Sequence, residues 1–163
     1  MQKALVFHEK VETSGDAAIS HFTLPHLLPE DHLLVLNEQI HVLSLLAVGP
    51  SIITQQQLTV NEMRVVIPIL ESFPQYCPYE VLLLQLFADT VTPISLRSWQ
   101  QRLSKARSLG TWQQEMRPLR RTLSSLRGKL RAFDLEISTV REMGCSVTRL
   151  TPTPIALAHS RNA

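Results

Sequence analysis

At about 100° per residue, Arg117, Arg120, Arg121, Ser124, Gly128 and Arg131 fall together on one helical face. Beside them Met116, Leu119, Leu123, Leu126, Leu130 and Phe133 recur at intervals of three and four, which lays down one continuous apolar stripe. A face of guanidinium groups and a hydroxyl, with no carboxylate among them, offers donors to phosphate oxygens and to base edges. The charge of the surrounding segment fits that chemistry. Residues 97–131 hold ten of the sixteen Lys and Arg but one acid, Glu115, a net charge of +9, whereas residues 1–96 carry −7. The whole-chain charge of +2 therefore conceals a dipolar molecule whose basic side must meet something negative.

Other reactive groups form no site. His8, His21, His26, His32 and His41 lie within the first 41 residues, but their spacing matches neither an i, i+4 pair nor a finger pattern, so no metal is expected. Cys77 and Cys145 are far apart and in no Cys-x-x-Cys arrangement, which makes them free thiols, with Cys145 structural rather than reactive. Trp99 falls on an apolar stripe and reads as core. The five glycines build no phosphate loop and no acid pair is marked out for proton transfer. Neither an enzyme nor a bound cofactor is expected.

The elements that must position the basic face can be read from periodicity and punctuation. In residues 1–57, short apolar runs (Ala4 to Phe7, Leu33 to Leu36, Val42 to Val48, Ile52 to Thr54) are broken by Gly15, Pro25, Pro29, Gly49 and Pro50, which predicts several short strands. Leu58-Thr59-Val60-Asn61-Glu62 supplies a capping box for a helix from Val60 toward Phe73, with Pro68 expected to kink or shorten it. A second helix is predicted from Pro78 to Phe87, burying Val81, Leu82, Leu84 and Phe87, with a strand as the rival reading. Ser95 is expected to cap a third, over Leu96 to Ser108, with Leu96, Trp99, Leu103 and Ala106 inward and Gly110 as its stop. The basic helix then starts between Thr111 and Pro118. After Phe133, alternation through Leu135 and Ile137, a turn at Arg141 to Gly144 and a return over Val147 to Leu150 predict a β-hairpin. Residues 151–163 read as a mobile tail.

Helix, helix, basic helix, hairpin is the order of a winged helix-turn-helix, and three strings resemble one family. Leu126-Arg127-Gly128-Lys129-Leu130 resembles the L-R-x-K-L that ends the recognition helix of OmpR/PhoB-type winged-helix regulators. Ile137-Ser138-Thr139-Val140-Arg141-Glu142-Met143-Gly144 resembles their wing signature I-x-T-V-R-G-x-G-Y, and Leu58-Thr59-Val60-Asn61-Glu62 the L-T-x-x-E of their first helix. The chain departs from the pattern in Glu142 and Cys145, which replace a Gly and a Tyr of the wing, and in a basic, helical insertion over Asp89 to Glu115. Residues 1–40 are too few for a receiver domain, so a stand-alone effector is expected.

The resemblance implies an α+β winged helix-turn-helix: a β-rich element over 1–57, a DNA-binding domain over 58–150 with an inserted helix at about 95–109, and the tail. It implies a bacterial-type, sequence-specific, double-stranded DNA-binding transcriptional regulator, with residues 117–131 in the major groove. Arg117, Arg121, Ser124 and Ser125 are then candidates for base edges, Arg120, Thr122 and Arg127 for phosphates, and Arg141 for the adjacent minor groove. Expected partners are duplex DNA, RNA polymerase or another protein engaging residues 89–115, and a second copy in a homodimer. Apolar runs such as Val81 to Leu84 are too short to span a bilayer and Met1 to Leu5 open no secretory signal, so a cytoplasmic address and no membrane partner are expected. The rival readings are a protein-interaction adaptor and an RNA or single-strand binder using the basic 97–131 face.

Overall fold

A computed structural model of the chain describes residues 8–12, 18–47, 49, 51–88 and 90–152. Strands β1 (His8–Glu12), β2 (Ala18–Phe22), β3 (Leu33–Asn37), β4 (Val42–Leu46) and β5 (Ile52–Gln57) form an antiparallel meander in the order β1-β2-β3-β4-β5. Period-two alternation sends Ser20, Phe22, Leu34, Leu36, Leu43 and Leu45 into the core from one face of this sheet. The β3–β4 turn is closed by Asn37, whose Oδ1 accepts from the Gln39 amide at 3.1 Å and the Ile40 amide at 3.2 Å. Three of the expected runs are strands, while Ala4 to Phe7 lies outside the described residues. β1 and β2 come from stretches with little apolar run of their own.

Helix α1 (Val60–Ser72) opens with the expected capping box. Thr59 Oγ1 accepts from the Glu62 amide at 3.2 Å, and Glu62 Oε2 accepts from the Thr59 amide at 2.8 Å. Pro68 does not cut the helix short; it lies buried among Val65, Val66, Ile69 and Leu70, and the packing of that face outweighs the lost amide donor. A two-residue strand, β6 (Cys77–Pro78), precedes α2 (Tyr79–Phe87), which settles the helix-or-strand alternative in favour of the helix. Phe87 is not core as expected: it is 56% exposed and stacks on Trp99, with centroids 5.7 Å apart.

Helix α3 (Pro93–Leu109) begins earlier than expected, because Thr92 rather than Ser95 is the cap and Pro93 takes the first turn. Ser95 is its capping-box partner, and Gly110 at φ 72° ends the helix in the left-handed conformation. Only Leu103 and Ala106 of its stripe are buried; Leu96 and Trp99 are half-buried. Helix α4 (Trp112–Leu130) runs unbroken through Pro118, which therefore does not open it. All of Met116, Leu119, Leu123, Leu126 and Leu130 are buried. A single 3-10 turn (Arg131–Phe133) leads to β7 (Leu135–Val140) and β8 (Gly144–Arg149), a hairpin whose return strand starts three residues before Val147. β6 adds to it in the order β6-β8-β7.

The result is a mixed α+β fold with two antiparallel sheets and four α-helices among the described residues. Residues from β2, β3 and β4 share one hydrophobic cluster with all four helices and the hairpin. Among the described residues no helix is long and apolar enough to cross a membrane.

Candidate nucleic-acid interface

Because the apolar stripe of α4 is wholly buried, the opposite face is presented outward. Arg117, Arg120, Arg121 and Ser124 are all exposed on it. Among the described residues, Arg117, Arg121 and Ser124 have no side-chain protein partner, so three polar groups of this face are available to a ligand. Arg120 Nη1 donates to Gln113 Oε1 about two turns back, which holds the guanidinium along the helix. Thr122 Oγ1 donates to the Pro118 carbonyl at 3.2 Å, the back-bond to residue i−4 that a helical threonine commonly makes.

Two of the expected contact residues are turned into the protein. Ser125 Oγ donates to Glu62 Oε1 of α1, and Arg127 Nε donates to the Ile137 carbonyl of β7 at 3.1 Å. Glu62 is itself 2% exposed, and its other oxygen receives Lys129 Nζ at 2.6 Å; that ammonium also donates to the Gln57 carbonyl at 2.7 Å. Burial pushes the Glu62 carboxyl up, yet Lys129, the Ser125 hydroxyl and the Thr59 amide together outweigh it and hold the group below its ordinary value. The same glutamate thus caps α1 and fixes the C-terminal half of α4 against it.

The hairpin reaches back toward α4. Its turn, Arg141 to Met143, is closed by the Met143 amide donating to the Val140 carbonyl at 2.9 Å, and Glu142 holds φ at 57°, a conformation that glycine adopts without cost. Gly144 follows for a steric reason: a Cβ there would overlap the Cys77 carbonyl oxygen and sit 2.8 Å from Tyr76 Cδ2. The Tyr79 amide donates to the Met143 carbonyl at 3.0 Å, tying the turn to the start of α2. Cys77 and Cys145 face each other in the β6–β8 register, and burial pushes their thiols up to about 12 and about 11. Both are held protonated and packed, consistent with structural thiols.

Between α4 and the turn lies a cleft of about 450 Å³, with Trp112, Arg120, Arg127, Thr139, Arg141 and Glu142 among its walls. Three guanidinium groups and one carboxylate make it cationic. Arg141, exposed at the tip, has no protein partner among the described residues. The fold thus brings Arg120, Arg127 and Arg141 around one concavity, leaves Arg117, Arg121 and Ser124 on the outer helical face, and removes Ser125 into an internal hydrogen bond.

Sequence reasoning places Arg107 on the basic outer face of the 89–115 segment, with Arg97, Arg102 and Lys105, and misses its role inside the fold. Its guanidinium lies over the Trp112 ring, 4.5 Å from the centroid, and Nη2 donates to the Glu142 carbonyl in the hairpin turn. No periodicity links residues 35 positions apart, so only the fold reveals that contact. Comparisons with protein-family models, curated proteins and solved structures find no match for the chain.

Proposed function

We propose that the chain is a winged helix-turn-helix regulator of transcription that reads a specific sequence in double-stranded DNA. α4 is the recognition helix and β7–β8 the wing. The observation that carries this reading is the pairing of two features: a cationic face on α4 on which Arg117 and Arg121 have no partner among the described residues, and Arg141 at the tip of the hairpin, likewise without one among them, with a cationic cleft between. A major groove admits a helix and displays a different donor and acceptor pattern for each base pair, which Arg117, Arg121 and Ser124 can read. The cleft takes the phosphate backbone beside that groove, where Arg120 neutralises charge, and Arg141 enters the minor groove beyond.

Selection from a pool of randomised duplexes, followed by footprinting, tests this. Enrichment of one short motif, protected in the major groove and flanked by a protected minor groove, is the expected result. A pool that returns no motif would leave the cationic face without a sequence-reading role.

A second surface supports a protein partner, RNA polymerase or another protein, for the segment around α3. Phe87, Val91 and Ile94 are 56%, 45% and 82% exposed at the α2–α3 junction, an apolar group that water does not favour. Ile94→Asp is expected to leave DNA affinity intact and to lower or abolish the transcriptional response.

A further inference from the structure

Helix α3 is poorly buried for its length, with two core residues in seventeen, so burial alone does not explain its presence. Its Trp99 stacks on Phe87 of α2 and its Arg102 donates to Glu115 of α4 at 2.8 Å, and a further link lies at the C-terminal end of the helix. There Arg107 lies between α4 and the hairpin, with its guanidinium carbon over the Trp112 ring and its Nη2 on the Glu142 carbonyl. Trp112 is fixed in turn: it meets Tyr79 edge to face at 6.0 Å, and the Tyr79 amide holds the Met143 carbonyl from the other side. Neighbouring carbonyls of one three-residue turn are therefore gripped from two helices.

We propose that Arg107 is a positioning residue: α3 clamps the wing turn through it and so sets the distance from Arg141 to the recognition face of α4. This rests on the reading of β7–β8 as a DNA-contacting wing. A guanidinium suits the task better than an ammonium, because its flat face stacks on indole while its edge still donates in plane. The residue that accepts, Glu142, stands in a left-handed conformation that bends its carbonyl toward α3 rather than along the strand ladder. The contact uses the backbone of Glu142 and not its carboxylate, so side-chain substitution there leaves the clamp in place.

The test has two arms, one of which needs no DNA. In amide hydrogen exchange on the full chain, Arg107→Ala is expected to speed exchange at Met143 and Tyr79 while Val66, in the core of α1, keeps its protection. Arg107→Lys, which retains the charge but not the planar donor, is expected to do the same. Unchanged protection at Met143 in both variants would overturn the clamp, whatever the protein binds. In the second arm, Arg107→Ala lowers affinity for a selected site with A·T-rich flanks about fivefold to tenfold, the size of one ordinary hydrogen bond. Affinity for the same site with G·C-rich flanks is unchanged, and in Arg107→Ala/Arg141→Ala the two losses are not additive. Equal losses on both flanks, or full additivity, would overturn the coupling to Arg141. Faster exchange at Met143 in a chain that binds no DNA would instead leave the clamp standing and remove the DNA reading.

Discussion

Single residues on α4 divide by whether the protein already uses them. Arg121 is exposed and unpartnered among the described residues, whereas Arg120 is held by Gln113 along a wall of the cleft. Arg121→Ala is therefore expected to relax sequence choice, and Arg120→Ala to weaken binding to all duplexes alike, each by about 1 to 3 kcal/mol. Affinities of both variants across single-base substitutions of a selected site check this. At the hairpin turn, Glu142 carries two disadvantages: a left-handed backbone and a carboxylate that would face the phosphates of a bound duplex. Glu142→Gly is expected to raise stability by about 1 kcal/mol and to tighten DNA binding, read by thermal unfolding and by titration with a duplex. What could not be seen residue by residue was long-range partnership. Ser125 lies on the exposed half of a helical wheel, yet its hydroxyl is spent on Glu62, 63 positions away in sequence, and Arg127 is likewise spent on Ile137.

At the scale of elements, local chemistry was legible where one residue type dictates one geometry. The Thr59–Glu62 box, the Gly110 stop, the stripe from Met116 to Phe133 and the hairpin all lie where spacing and turn chemistry put them. Prolines misled, because their cost of about 3 kcal/mol inside a helix is a local quantity: Pro68 is itself packed in the core, and the exposed Pro118 is carried by a helix whose opposite stripe is wholly buried. β6 carries no signal of its own, since two residues become a strand only by pairing with β8. Among element contacts, the Glu62–Lys129 pair joining α1 to α4 makes a pH-dependent prediction. The folded-state value of Glu62 lies below its ordinary 4.5, so its stabilisation is complete above that pH and is lost as pH falls through the lower folded value. Glu62→Gln should flatten the acid limb of the stability curve. Lys129→Ala should cost about 1 to 3 kcal/mol at neutral pH, discounted from a fully buried pair because the ammonium is 28% exposed.

For the whole molecule, charge segregation is the organising fact, and it was visible in the sequence because it needs no contacts to be counted. The +9 of residues 97–131 gathers on α3 and α4, so the field that draws in a polyanion is centred on the face that would read it. Arg97 and Lys105 on α3 are exposed and belong to that field. Reversing both to Glu is expected to lower duplex affinity and to make the salt slope shallower by about 2. Intact DNA binding with an altered transcriptional output would instead assign the outer face of α3 to a protein partner.

The measurement that bears most directly on the DNA-reading claim is the affinity of the intact chain for a selected duplex and for each of its separated strands, across a series of salt concentrations. With Arg97, Lys105, Arg117, Arg120, Arg121 and Arg141 in contact, log affinity for the duplex should fall against log salt with a slope of about −5 to −6, and the single strands should bind more weakly at every concentration. Tighter binding to a single strand would mean that the cationic face receives unpaired bases. A duplex affinity indifferent to salt would contradict the account altogether.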